Sequence, residues 1–63
     1  LPKSPPIGTN YIIKDSSGSA SSNNITVIAN TGNTVQGNAN TQITTDFGVV
    51  RVIYNGSNVW LIT

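Results

Sequence analysis

Two apolar, β-branched runs close the chain in Gly48–Thr63, GVVRVIYNGSNVWLIT. They flank Asn55-Gly56. Asn-Gly between such runs is the strongest short-range hairpin signal, because a type I′ turn needs positive φ at both central residues. Strands are expected at about Val49–Tyr54 and Val59–Ile62. A two-residue loop would pair Val52 with Val59, and a four-residue loop Tyr54 with Val59. Either register puts Val50, Val52, Tyr54, Val59 and Leu61 on one face. Val49, Ile53, Trp60 and Ile62 fall on the other, with Arg51 as the only charge. A hairpin half exposed to water alternates apolar with polar residues. This one is apolar on both faces and calls for cover on both sides.

The chain has 63 residues. So short a chain forms one domain at most, buries little of its surface and is marginal alone. The usual remedies are disulfides, a metal or oligomerisation. There is no Cys and no His, which excludes disulfides, zinc fingers and Cys/His catalysis. Asp15 and Asp46 are the only carboxylate side chains. They are too far apart in sequence to read as an acid/base pair, and a nucleophile would have no His beside it. The chain is therefore read as non-enzymatic, without cofactor or metal, and oligomerisation is the remedy left.

Lys3, Lys14 and Arg51 against the two Asp residues leave a net charge of +1. No basic patch gathers phosphates, which speaks against nucleic acid. No apolar run approaches the ~20 residues that span a bilayer, so no membrane insertion is expected. Polarity comes from Asn, Thr, Ser and Gly. Thr is β-branched, and Asn and Ser compete with a helix by bonding to nearby backbone. No long helix is expected.

Leu1–Thr9 reads as a Pro-rich linker or stalk end, extended and polyproline-like, because Pro2, Pro5 and Pro6 fix φ and remove amide donors. Residues 10–63 form the module. A short strand is expected around Tyr11–Ile13. The polar loop Asp15–Asn24 follows, with Asp15 able to cap a turn through its side chain. Ile25–Ala29 is a strand with Ile25 and Val27 on one face. Asn30–Asn33 turns, with Gly32 at positive φ. Thr34–Gln36 and Thr41–Thr45 are short strands carrying Val35 and Ile43, separated by a turn at Gly37–Asn40. Asp46-Phe47-Gly48 turns into the hairpin with Phe47 buried. It lacks the neighbouring motifs that would make it a kinase signature. The result is an all-β arrangement of about six short antiparallel strands and a C-terminal hairpin.

Arg51 shares its expected face with Trp60, which suggests a cation–π contact. Trp60 is read as structural, with a sugar-stacking platform formed by Trp60 and Tyr11 as the alternative. Asn24-Ile25-Thr26 and Asn55-Gly56-Ser57 match the glycosylation sequon, a short pattern that an Asn/Thr-rich chain also produces by chance.

Four segments carry a resemblance. They are N-x-I-T-V at Asn23–Val27, G-N-T-V-x-G at Gly32–Gly37, Q-I-T-T at Gln42–Thr45, and Y-N-G-S-x-x-W at Tyr54–Trp60. Together they make residues 10–63 resemble C-terminal modules of phage tail fibres and of surface attachment proteins of large chlorella viruses. LPKSPP is similar to the end of a Pro/Lys stalk repeat. The resemblance implies a homotrimer at a fibre tip, interwoven or side by side and β-prism-like, on the virion surface or otherwise extracellular. Its task would be trimerisation and capping of the fibre. The alternative is a head domain whose loops at Ser16–Asn24 or Gly37–Asn40 bind a host glycan or cell-wall polymer. A monomeric β-sandwich fragment is a third reading. The residues expected in the core or trimer interface are Ile25, Val27, Val35, Ile43, Phe47, Val50, Val52, Tyr54, Val59 and Leu61.

Overall fold

The computed structural model describes residues 1–63. Six strands form: β1 (Asn10–Lys14), β2 (Ile25–Ile28), β3 (Thr34–Val35), β4 (Asn40–Ile43), β5 (Val49–Tyr54) and β6 (Val59–Ile62). There is no helix, as the Asn/Ser/Thr-rich composition requires. The strands make a four-stranded sheet in the order β1-β5-β6-β3 and a two-stranded ribbon, β2-β4. All pairs are antiparallel except β3 with β6, which is parallel. That pair departs from the all-antiparallel expectation. It joins segments distant in sequence, so no local turn signals it.

The β5–β6 hairpin forms, but in a different register. Tyr54 pairs with Trp60, Ile53 with Leu61 and Val52 with Ile62. Asn55 N–H donates to Val59 O at 2.9 Å, leaving Gly56-Ser57-Asn58 as the loop. Gly56 and Asn58 carry the positive φ values, 84° and 67°. The Asn55 Oδ1 accepts from Ser57 N (2.7 Å) and Val59 N (3.2 Å), and Tyr54 Oη accepts from Asn58 N (3.1 Å). These side-chain acceptors support a three-residue loop in place of a two-residue turn. A displacement of one residue turns every side chain of a strand to the other face. Trp60 and Ile62 therefore join Val50, Val52 and Tyr54 on the inner face. Val59 and Leu61 point outward with Arg51 and Ile53.

The paired positive φ values of a type I′ turn occur instead at Gln36 (49°) and Gly37 (89°), bracketed by reciprocal Val35–Asn38 backbone bonds. Gln36 then extends the β3–β6 ladder. Its N–H donates to Trp60 O, and its side-chain Oε1 accepts from Ile62 N at 3.0 Å.

Ala29, Val35, Val52, Tyr54 and Trp60 form the core, with Leu1, Ile13 and Val50 packed against it. Trp60 is wholly enclosed. Its ring lies between Tyr11 (centroids 5.7 Å) and Tyr54 (5.2 Å), both tilted. Val27 and Ile43 are buried on one face of the ribbon, where Ile25 is half-buried. Residues 1–9 lie against the body rather than leading away from it. Gly8 N–H donates to Tyr54 O, Tyr54 N–H donates to Thr9 O, and Asn33 Nδ2 donates to Lys3 O. Thr9 N and Oγ1 both donate to Pro6 O, a turn that brings the chain into β1. Ile7 lies over Gly56, where a Cβ would sit 3.1 Å from its Cδ1, and the positive φ of Gly56 favours glycine at the hairpin tip.

The register gives a direct expectation. Trp60→Ala should destabilise the chain by about 3–5 kcal/mol, whereas Leu61→Ala in dilute chain should stay within ~0.5 kcal/mol. Urea unfolding measures both. The opposite ranking would restore the register expected from the Asn-Gly turn.

Candidate functional site

The four-stranded sheet is covered on one face only. Its open face is built by β1, β5 and β6, whose register puts Ile12 beside Arg51, Lys14 beside Val49 and Ile53 beside Leu61. Ile12 is 64% exposed, Val49 59% and Leu61 40%. Ile53 and Val59 are half-buried there. The hairpin is thus apolar on both faces, and the chain supplies cover for only one. Apolar side chains are gathered on this face around Arg51 and Lys14.

Arg51 stands at the centre of this face. Its Nε donates to Thr63 Oγ1 at 2.8 Å, and Thr63 N–H donates back to Arg51 O. The guanidinium has five N–H donors, so most remain for a partner. The expected stacking of Arg51 on Trp60 does not occur, because the register puts them on opposite faces. Two shallow depressions flank the Arg51 side chain. One, of about 300 Å³, is lined by Asn10, Arg51, Ile53 and Thr63. The other, of about 270 Å³, is mainly apolar and lies where β5 outruns β6.

A braced loop pair lies at the end of the sheet where β1 finishes and β5 begins. Asp15 is almost fully buried. Its Oδ1 accepts from Ser17 N, Ser17 Oγ and Gly18 N at 3.0–3.3 Å. Its Oδ2 accepts from Ala20 N at 2.9 Å and Phe47 N at 3.0 Å. Burial acts to raise the Asp15 pKa. The bonds from Ala20, Phe47, Ser17 and Gly18 outweigh it and hold the group at about 2. Asp46 is exposed and also held low, by the hydroxyl and amide of Ser21. Ser21 N–H donates to Asp46 Oδ1 at 2.9 Å. The Asp15–Asn24 loop, flexible by composition, is therefore pinned at several amides.

Phe47 does not enter the core as expected. It is 59% exposed with φ +57°, a left-handed conformation rare for a bulky residue. Its N–H is held by Asp15, and its carbonyl accepts from Lys14 Nζ. Its ring lies over Gly18, where any Cβ would come within 2.4 Å of it. No sequence rule signals this position, since an aromatic in a turn reads as a core anchor.

The residues expected in the core or interface are thus divided. Val27, Val35, Ile43, Val52 and Tyr54 are buried within the chain, and Ile25, Val50 and Val59 are half-buried. Phe47 and Leu61 face solvent. Trp60, with no accessible surface, offers no ring face to a sugar. Tyr11 remains partly exposed, but its ring packs on Trp60. No cluster of three or more His, Cys, Asp or Glu comes together, and no helix is long and apolar enough to cross a membrane. Searches against family models, curated proteins and solved structures give no match.

The folded pKa of Asp15, about 2, lies below the unperturbed 3.8. Its bonds then stabilise the fold fully above about pH 4, and that contribution is lost as pH falls through this window. Asp46 acts in the same direction. The thermal midpoint should fall between about pH 4 and pH 2. Asp15→Asn should flatten that fall and lower the midpoint at neutral pH, because an amide turns a donor toward amides that need an acceptor. An unchanged pH profile in Asp15→Asn would remove Asp15 from this role.

Proposed function

We propose that this chain is a non-enzymatic, self-associating β module whose copies cover one another's open sheet faces. We further propose that it works as a homotrimer, registering and capping a viral surface fibre or attachment protein. The observation that carries the first statement is the uncovered face of Ile12, Val49, Ile53, Val59 and Leu61. Only ten of 63 residues are buried, so the core within one chain is thin. Burying a large apolar side chain contributes about 1.5–3 kcal/mol. Several on one face, shared among copies, are comparable with the whole stability of a small domain. The chain is also elongated, 33 × 18 × 15 Å, which gives it a long flank for side-by-side packing. The fibre setting rests on the resemblance of residues 10–63 to fibre-tip modules. With Trp60 enclosed, the glycan-binding reading loses its best platform, and we place it second.

Light scattering after size exclusion tests the association. We expect three times the chain mass, persisting on dilution. Ile12→Asp and Leu61→Asp lie on the open face and should lower that mass toward one chain while leaving the far-ultraviolet dichroism intact. Val52→Asp or Ile43→Asp would instead unfold the chain, since both side chains are buried within it. A folded wild-type chain that stays monomeric at high concentration would overturn the proposal.

A further inference from the structure

Among its side chains the open face has positive charge and no counter-charge. Arg51 and Lys14 are both positive, and no carboxylate side chain lies on that face. The exposed carboxylate side chain is Asp46, next in sequence to the exposed ring of Phe47. The two form a tip that is acidic and aromatic at once. The depression beside Arg51 has the matching character: Ile12, Val49, Val50 and Ile62 line it with Arg51 and Thr63, and its volume is about 270 Å³.

The tip is also held in place at a cost. A left-handed Phe is strained, because its Cβ crowds the neighbouring backbone carbonyl. It persists because the surroundings over-determine it: Asp15 holds its N–H, Lys14 its carbonyl, and Gly18 leaves room for its ring. Glycine at position 47 would relieve the strain at once. Strain of this kind clusters at functional positions. A strained aromatic that packs mostly against solvent needs a reason beyond the folding of its own chain.

We infer that the Asp46–Phe47 tip of one copy seats in the Arg51 depression of the next. Phe47 packs against Ile12 and Val49, and the Asp46 carboxylate accepts from the free guanidinium donors of Arg51. The inference rests on the self-association proposed above and names one contact within it. Because tip and depression are different patches, the contact is heterologous, and it closes into a ring when the rotation between copies allows. Three copies in a ring would use every tip and every depression. Both partners have intrachain bonds that orient them: Asp15 accepts from the Phe47 N–H, and Arg51 donates to Thr63. A charge-assisted pair supplies the register, and the ring supplies buried apolar area.

The test is a charge exchange with an independent strain variant, each in the full chain, read by light scattering over a dilution series. Arg51→Glu and Asp46→Arg should each raise the concentration at which the assembly dissociates by on the order of tenfold or more. Combined, Arg51→Glu/Asp46→Arg should recover most of that loss. Phe47→Gly should keep or raise the thermal midpoint of the dissociated chain, because it removes strain, yet weaken association. If the wild type assembles while Arg51→Glu and Phe47→Gly dissociate at the wild-type concentration, the tip-in-depression contact is wrong and self-association stands. Loss in both single charge variants without recovery in the double variant also rejects the pairing. A wild type that never assembles overturns this inference together with the reading beneath it.

Discussion

The direction in which Trp60 faces decides most of this structure, and two contributions of similar size set it. Turning β6 over would exchange Trp60 and Ile62 for Val59 and Leu61 on the inner face. Ile and Leu are near equals, so the difference is Trp against Val, on the order of 2–3 kcal/mol at ~25 cal/mol per Å², less the cost of burying the Trp60 indole N–H without an acceptor. The two bonds from the Ser57 and Val59 amides to the Asn55 carboxamide oxygen add ~1 kcal/mol each. Both favour the observed register. With Trp60 inside, Tyr11 and Tyr54 have a ring to pack on, and Val35 of β3 finds its place beside Trp60 through the parallel pair. With Val59 and Leu61 outside, the second sheet face is left apolar and open.

Asp15 plays the corresponding part at the far end of the sheet. One buried carboxylate gathers amides from its own loop and from the loop that begins β5. A carboxylate accepting several N–H groups is stable in its charged form despite burial, which is why its pKa goes down rather than up. The bond to Phe47 N–H does more than join two loops. It holds the backbone of Phe47 in a region that its side chain disfavours, so the capping of one loop and the exposure of the aromatic tip are a single arrangement.

Much of the secondary structure is legible from local signals. Val49–Tyr54 and Val59–Ile62 stand out as β-branched and aromatic runs, and the observed strands occupy those ranges. Gly32 has the positive φ its turn implies. What is not legible depends on competition between signals or on long-range pairing. Asn55-Gly56 signals a two-residue turn, but the same Asn side chain can cap a longer loop, and the second use wins. Gln36 is an unusual residue for a left-handed turn position. It is held there by bonds to β6 that no local window contains. The Pro-rich opening reads as linker because Pro lacks donors. Yet its carbonyls still accept, and Lys3 and Pro6 use theirs. For the candidate site, the presence of a second apolar face was readable and its membership on β6 was not, since that follows from the register. The exposure of Phe47 was not readable at all, because nothing in the sequence tells a strained tip from a core anchor.

A sparsely charged chain of this length has few ways to become stable, and each one it lacks shapes the others. Without Cys or His it has no covalent or metal staple, and with so few charges it has little to gain from ion pairs. The remaining resource is apolar area, and a single copy shields only one sheet face. Non-directional burial alone would let open faces meet in many orientations. The few charged and strained groups are what can select one of them. Arg51 amid aliphatic side chains penalises any contact that leaves it dry and unpaired, and the one exposed carboxylate side chain, Asp46, belongs to the tip. In the proposed assembly, a sparse charge pattern on an apolar face would work as a specificity device, rejecting wrong contacts more strongly than it strengthens the right one.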